Sequence, residues 1–403
     1  MAKNARRWIV FLVLCLAYMP GAYAQYQLSV FAPELMSQFN LSTSQFSSIF
    51  TSPMIIAVLL SFVGGMISDR FGPKKVVAIA FAITCIGLIG RVFSISYGTF
   101  FLCMVLVGAS QTAVNANASK LTGSWFQAAM IGILMGAFTL SGQLASTLAT
   151  ATSAAWFASM QDAYVAAAVF GVIVLVLWLV FVKDSPESKG PSLEPSANDG
   201  VAMRDCLRVV LRNRGVWMIA VCIMMDLGCT VALASFLPTA LQQMYGIELS
   251  TAGTIAAMLT MGNCIGAIAG PIAFKQMRGN AKRFVPATAA LSFAGVLLCW
   301  RFASIPVLYA LILLTGTALG AAMPIFFSAP ILLDGIGTKY AGSATGVIAT
   351  LQMLGAIVIP TYILAPIAGD NYGLMFTLAS VCMVVMFVFG LFIPELKAGN
   401  EGR

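Results

Sequence analysis

An acid buried in an apolar helix is the side chain in this sequence best suited to chemistry. Asp226 lies about ten residues into an apolar run, which at about 1.5 Å per residue puts it near the middle of a bilayer. It is the only acid deep in any such run, and no base of similar depth is available to pair with it. Desolvation disfavours the charged form of a lone carboxylate, so such a group can take up and release a proton. It could couple proton movement to another process, or anchor a cationic group on a ligand. The structural alternative is a protonated acid hydrogen-bonded to a neighbouring helix.

Neutral polar side chains supply the other candidates. Gln111, Thr112, Asn115 and Ser119 share much of one helical face behind Gly108, and Thr139, Gln143, Ser146, Thr147 and Thr150 share another. Asn263 and Gln352 are single amides in apolar surroundings, and Tyr18 and Tyr26 share a face of the first run. Polar groups inside a membrane span are functional candidates by default. Tyr18, Tyr26, Gln111, Asn115, Gln143, Asn263 and Gln352 can together line a hydrogen-bonding cavity, although each alone also suits interhelical bonding. Arg91 and Arg301 lie about 24–27 Å along their helices from Lys75 and Arg283. That depth suits side chains that snorkel to the opposite surface as interface anchors, or an outer positive ring that attracts anions.

Other chemistries find no support. The sequence has no histidine, which removes imidazole relays and the commonest metal ligand. Of its nine cysteines only Cys206 falls outside an apolar run, and none forms a Cys-x-x-Cys pair, so buried small hydrophobes are expected. No catalytic constellation, metal set, cofactor motif or phosphate-binding glycine loop is visible, so the expectation is not an enzyme.

The elements that position these residues follow from composition. Apolar residues make up 60% of the 403 and charged residues 9%, against about 25% charge in a soluble domain. The charges bunch between apolar runs of about 18–25 residues, the length that crosses a hydrocarbon core. Twelve spans are expected, near 8–27, 47–67, 76–96, 98–118, 128–150, 162–182, 216–238, 251–273, 284–303, 305–328, 341–364 and 371–393. Arg6-Arg7 and Ala22-Tyr23-Ala24 resemble a cleavable signal. The run continues to Tyr26, however, so it is read as an uncleaved first helix. Basic residues concentrate at one set of loops, which puts both termini in the cytoplasm by the positive-inside rule. The net charge of +8 is therefore assigned to the membrane side and not to nucleic acid.

This gives an N-terminal six-helix bundle at 1–183, a cytoplasmic linker at 184–215 and a C-terminal six-helix bundle at 216–403. The linker opens Pro/Ser/Gly-rich. It then places Arg204, Arg208 and Arg212 four residues apart, as on a short amphipathic helix resting on an anionic leaflet. The halves repeat. Leu41-Ser42-Thr43 and Leu249-Ser250-Thr251 each precede a span, with Ser42 and Ser250 as caps and Gln45 completing a capping box. Pro33 matches Pro238, and Arg91 matches Arg301. Gly132/Gly136 and Gly342/Gly346 are paired small residues expected to bring helix backbones together.

Between the second and third spans runs Gly65-Met66-Ile67-Ser68-Asp69-Arg70-Phe71-Gly72-Pro73-Lys74-Lys75. It resembles the loop pattern Gly-x-x-x-Asp-Arg-x-Gly-Arg-Lys of the major facilitator superfamily, carried here by Gly65, Asp69, Arg70, Gly72, Lys74 and Lys75. The loop at 270–283 is a degenerate copy without the acid. The resemblance covers essentially the whole chain. It implies an all-α membrane protein of twelve transmembrane helices in two six-helix halves, with this loop as a gate. It also implies a secondary active transporter that works by rocker-switch alternating access in the bacterial inner membrane, as a monomer.

Subfamily marks are mostly missing. The arginine of proton/drug antiporters in helix four is replaced by Cys103 and Met104, and helix five has Gly132, Gly136 and Gly142 but no proline. Arg91 followed by the Gly108–Gln111 spacing resembles cyanate-permease-type carriers. The expected function is proton-coupled symport of a small organic solute. The alternatives are an uncoupled facilitator or exchanger of small organic anions and a non-transporting membrane receptor.

Overall fold

A computed structural model describes residues 2–60, 68, 71–182 and 203–394. Gly65, Asp69 and Arg70, linker residues 184–202 and the C-terminal Lys397 and Arg403 lie outside these. Among the described residues the chain is helical, with no strand. The long helices are α1 (Ala2–Val30), α5 (Pro73–Val92), α6 (Tyr97–Trp125), α7 (Ala128–Trp156), α8 (Met160–Phe181), α10 (Arg214–Tyr245), α11 (Leu249–Gln276), α12 (Ala281–Leu298), α13 (Ile305–Leu332), α14 (Gly337–Val358) and α16 (Tyr372–Leu391). Shorter pieces are α2 (Ala32–Phe39), α3 (Thr43–Thr51), α4 (Pro53–Leu60), α9 (Met203–Arg212) and α15 (Ala365–Ala368). Among the described residues eleven helices are long and apolar enough to cross a membrane. The remaining expected span, 47–67, is described as far as Leu60, and α3 and α4 meet there at Pro53. This is the expected twelve-span membrane fold, with helices running up to about seven residues past the expected ends.

Local chemistry sets many of these ends. Ser42 and Gln45 form the predicted capping box at α3. Ser96 and Thr99 form another at α6, and Ser159 caps α8. Ser250 does not cap, because α11 already begins at Leu249. Gly72 has φ 83°, a left-handed turn that suits glycine, and Pro73 starts α5.

By contacts the chain divides into two units: 1–191 with 235–257, and 192–234 with 258–403. Within the first unit, the Phe236 ring stands 5.6 Å from Phe46, and Gly253 lies against the Thr150 carbonyl.

The first unit is organised around α1, which packs on α6, α7 and α8, while α5 packs on α6 and α8. Leu14, Phe81, Val114, Phe138 and Trp178 meet in its core. In the second unit α12 packs on α13 and α16. There Gly262, Gly266 and Gly270 of α11 face the carbonyls of Leu313, Thr317 and Ala321 on α13, and Gly316 and Gly320 answer against Leu259 and Asn263. A methyl at any of these would collide with backbone, so the seam exists because the side chains do not. Gly228 of α10 and Gly355 of α14 cross in the same way. Beyond that crossing α14 passes into a π-helical segment, Ile359–Leu364.

The two glycine pairs read from sequence behave otherwise. A Cβ at Gly132, Gly136, Gly342 or Gly346 would meet nothing within 4 Å among the described residues. Four-residue spacing permits close approach, but it does not say which face meets a neighbour.

Candidate functional site

In the first unit α1 gathers the polar candidates. The Tyr18 ring stands 5.2 Å from Phe138, edge to face, and lies over Gly142, where a side chain would displace it. Gln111 of α6 rests on Gly21 of α1; a Cβ there would stand 2.7 Å from its Cγ. Tyr26 packs 5.6 Å from Phe50 and lies within electrostatic reach of Tyr18. The structure thus brings Tyr18, Tyr26 and Gln111 together along one helix. Gln143 is half-buried and Asn115 exposed. The hydroxyls of Thr112, Thr139 and Thr147 bond the carbonyls of their own helices, so they add little to a ligand surface.

Three α1 residues that the sequence reading passed over hold this surface in place. Gln25 donates to the Phe50 carbonyl at 2.9 Å and Gln27 to the Ala163 carbonyl at 2.9 Å. The Tyr23 hydroxyl stands 3.1 Å from that of Thr152. The only sequence signal was polarity on both sides of Tyr26. These bonds orient α1 and leave Tyr18 and Tyr26 as its available groups.

Arg91 is also part of this framework and reaches no surface, being 2% exposed. Its guanidinium donates to the Ala24 carbonyl at 3.0 Å and to Gln27 Oε1 at 2.7 Å. It lies 4.4 Å from the centre of the Tyr164 ring. The expectation of snorkelling fails because counting along a helix gives depth and not facing. Arg301 is exposed and lies 5.3 Å over Trp300.

In the second unit Asp226 is 1% exposed, and among the described residues neither carboxylate oxygen has a hydrogen-bond partner. It shares a helical face with Cys222 and Cys229, whose thiols lie within electrostatic reach of it. Cys222 Sγ donates to the Met386 carbonyl at 3.7 Å, so this face turns toward α16. Gly228, about 200° further round α10, faces α14. The acid is therefore enclosed by thiols and apolar groups. Asn263 is half-buried, and among the described residues its Oδ1 has no hydrogen-bond partner; Gln352 places Nε2 3.5 Å from Met323 Sδ. All nine cysteines are free, and among the described residues no cluster could hold a metal.

At the loop between the second and third spans, Gly65, Asp69 and Arg70 lie outside the described residues, but their neighbours Ser68 and Lys74 are tied to other helices. Ser68 donates to Asn117 Oδ1 of α6, whose amide in turn donates to Ala113 O at 2.8 Å. The Trp178 indole of α8 donates to the Lys74 carbonyl at 3.2 Å. Lys75 is exposed and Lys74 half-buried.

Known proteins agree with this architecture. The hexuronate transporter of Bacillus subtilis (strain 168) is 25% identical over 198 residues, 47% of this chain and 46% of that protein. The hexuronate transporter of Escherichia coli (strain K12) is 24% identical over 281 residues, 66% of this chain and 64% of that protein. The chain thus spans about half to two thirds of the length of these curated relatives. A crystal structure of a bacterial homologue of the human lysosomal transporter Spinster, inward-facing and unoccupied, superposes with a TM-score of 0.81 at 14% identity. That match covers 96% of this chain and 97% of the other. A sequence profile of the Major Facilitator Superfamily matches residues 10–360, and the chain belongs to that family.

Proposed function

We propose that this protein is a secondary active transporter that carries a small organic solute across a bacterial inner membrane by rocker-switch alternation, coupled to protons through Asp226. Both termini face the cytoplasm, the 1–183 and 216–403 bundles are the moving halves, and the protein works as a monomer. The observation that carries the coupling is a carboxylate 1% exposed with neither oxygen hydrogen-bonded among the described residues. A charge left in that state costs several kcal/mol, on the order of the desolvation penalty of a buried ion, so the acid rests neutral and ionises only when its surroundings change. The hexuronate carriers among the relatives point to an organic anion as the solute. Tyr18, Tyr26 and Gln111 offer aromatic faces and an amide suited to the hydroxylated part of such a molecule.

The test has two stages. A thermal-shift screen of the purified protein, begun with hexuronates, identifies the ligand, because binding to the folded state alone raises apparent stability. Asp226→Asn should then abolish accumulation driven by an inward proton gradient and keep counterflow exchange. Continued accumulation by the Asn variant overturns the coupling role.

The enclosure of Asp226 among Cys222, Cys229 and α16 favours a second reading, an uncoupled facilitator or exchanger in which the acid is structural. In that case the wild type itself shows exchange without pH-driven accumulation.

A further inference from the structure

The short helix α9 and its joint with α10 are built more firmly than a solvated linker requires. Cys206 and Val210 are buried, 1% and 0% exposed, on the side where α9 packs along α14. On the other side Arg208 and Arg212 are exposed one turn apart, with Leu211 46% exposed between them and Val209 exposed at the flank. Residues 203–217 contain Arg204, Arg208, Arg212 and Arg214 against the single acid Asp205.

The joint fixes where this face points. Asn213 Oδ1 accepts from the backbone N–H of Gly215 at 2.9 Å and of Val216 at 3.4 Å, capping α10. The Asn213 amide donates to the Asp334 carbonyl at 2.9 Å. Trp217, in the first turn of α10, donates its indole N–H back to the Leu211 carbonyl at 2.8 Å and remains 40% exposed. Since α10 is a membrane span, its first turn lies at the edge of the bilayer, and these bonds hold α9 at the same depth. Exposed arginines interleaved with exposed Val209, Leu211 and Trp217 suit that boundary and neither phase beside it. Apolar side chains enter the acyl region, indoles prefer the headgroup level, and guanidinium groups grip phosphate oxygens in pairs.

We propose that Arg208, Arg212 and Arg214, with Trp217 and Leu211, form a binding surface for the phosphate headgroups of anionic phospholipid. It anchors the start of the helix that carries Asp226. The inference rests on the membrane-spanning fold and is independent of the substrate and of coupling.

The test uses the purified full chain in mixed micelles of dioleoylphosphatidylglycerol and dioleoylphosphatidylcholine, with retained lipids counted by native mass spectrometry. Wild type should retain the anionic lipid preferentially. The double substitution Arg208→Gln/Arg212→Gln should lower that preference by about fivefold per arginine, the value of a basic side chain beside an anionic surface. Lys275→Gln/Arg278→Gln, which removes two exposed cations elsewhere in the same unit, should leave it unchanged. Equal retention by wild type and the Arg208/Arg212 variant, or equal loss in the Lys275/Arg278 control, overturns the proposal. A second measurement does not depend on the arginines. Brominated phosphatidylglycerol should quench tryptophan emission more strongly in wild type than in Trp217→Phe, and an unchanged quenched fraction places Trp217 away from the lipid and overturns the site.

Discussion

In the first unit Arg91 reaches 3.0 Å to the Ala24 carbonyl and 2.7 Å to Gln27, and Gln27 passes the link to Ala163. In the second unit Gly262, Gly266 and Gly270 lay α11 directly on the carbonyls of α13 with no side chain between. Both solve one problem. Lipid tails are as apolar as leucine, so helices in a bilayer gain little from hiding apolar surface and need polar bonds or close packing to associate. The second unit relies on this glycine seam, whereas the first adds buried side-chain bonds to close approaches of its own, Gly108 on the Pro53 carbonyl and Gly87 on that of Cys103. Arg301, which matches Arg91 in the sequence repeat, is exposed and stacks on Trp300. The repeat preserved a residue type and not its role.

The largest way to break this contrast is Gly266→Leu. A Cβ there already runs into the Thr317 carbonyl, so the leucine variant should fail to yield folded protein, and Gly266→Ala should lose about 1–3 kcal/mol in thermal or denaturant unfolding. An unchanged melting midpoint for Gly266→Leu would show that the seam does not close the second unit. Next comes Arg91→Met, which strands Gln27 Oε1 and removes charge-assisted bonds. A loss of about 3 kcal/mol is expected, while Arg301→Met should stay within about 0.5 kcal/mol as an exposed change. Equal effects at the two arginines would erase the distinction between the units. Smallest is Gly136→Ala, where a methyl meets open space. Replacing glycine inside a helix should be neutral or stabilise by about 0.5–1 kcal/mol, and a clear loss would mean that this face is packed after all.

The same glycines show how far sequence carries. Length and hydropathy located the spans, because crossing a bilayer fixes how many apolar residues are needed. The capping box at Ser42 and the turn at Gly72 were legible, since both depend on neighbours within a few residues. Facing was not legible. Gly132/Gly136 and Gly262/Gly266/Gly270 have the same spacing and opposite surroundings. Arg91 could be assigned a depth but not a direction, and Asp226 could be seen to lie deep but not to sit beside two thiols. Tyr18 and Gln111 were found as polar groups. What seats them, the bare backbone of Gly142 and Gly21, depends on contacts between distant parts of the chain.

The π segment at Ile359–Leu364 bears on how this chain can change length. A π turn holds one more residue than an α turn, so the helix stores a single-residue insertion there. Deleting one residue from this segment would restore an even α spiral and leave the residues beyond Leu364 facing much as they do, because the wide turn absorbs the extra residue. Gly228 lies against the side chain of Ile359, the first residue of the segment, as well as the Gly355 carbonyl, so only a deletion placed after Ile359 keeps that contact. The segment is thus a place where this span can lose a residue without turning its far end, whose Leu364, Ala365 and Ala368 are buried.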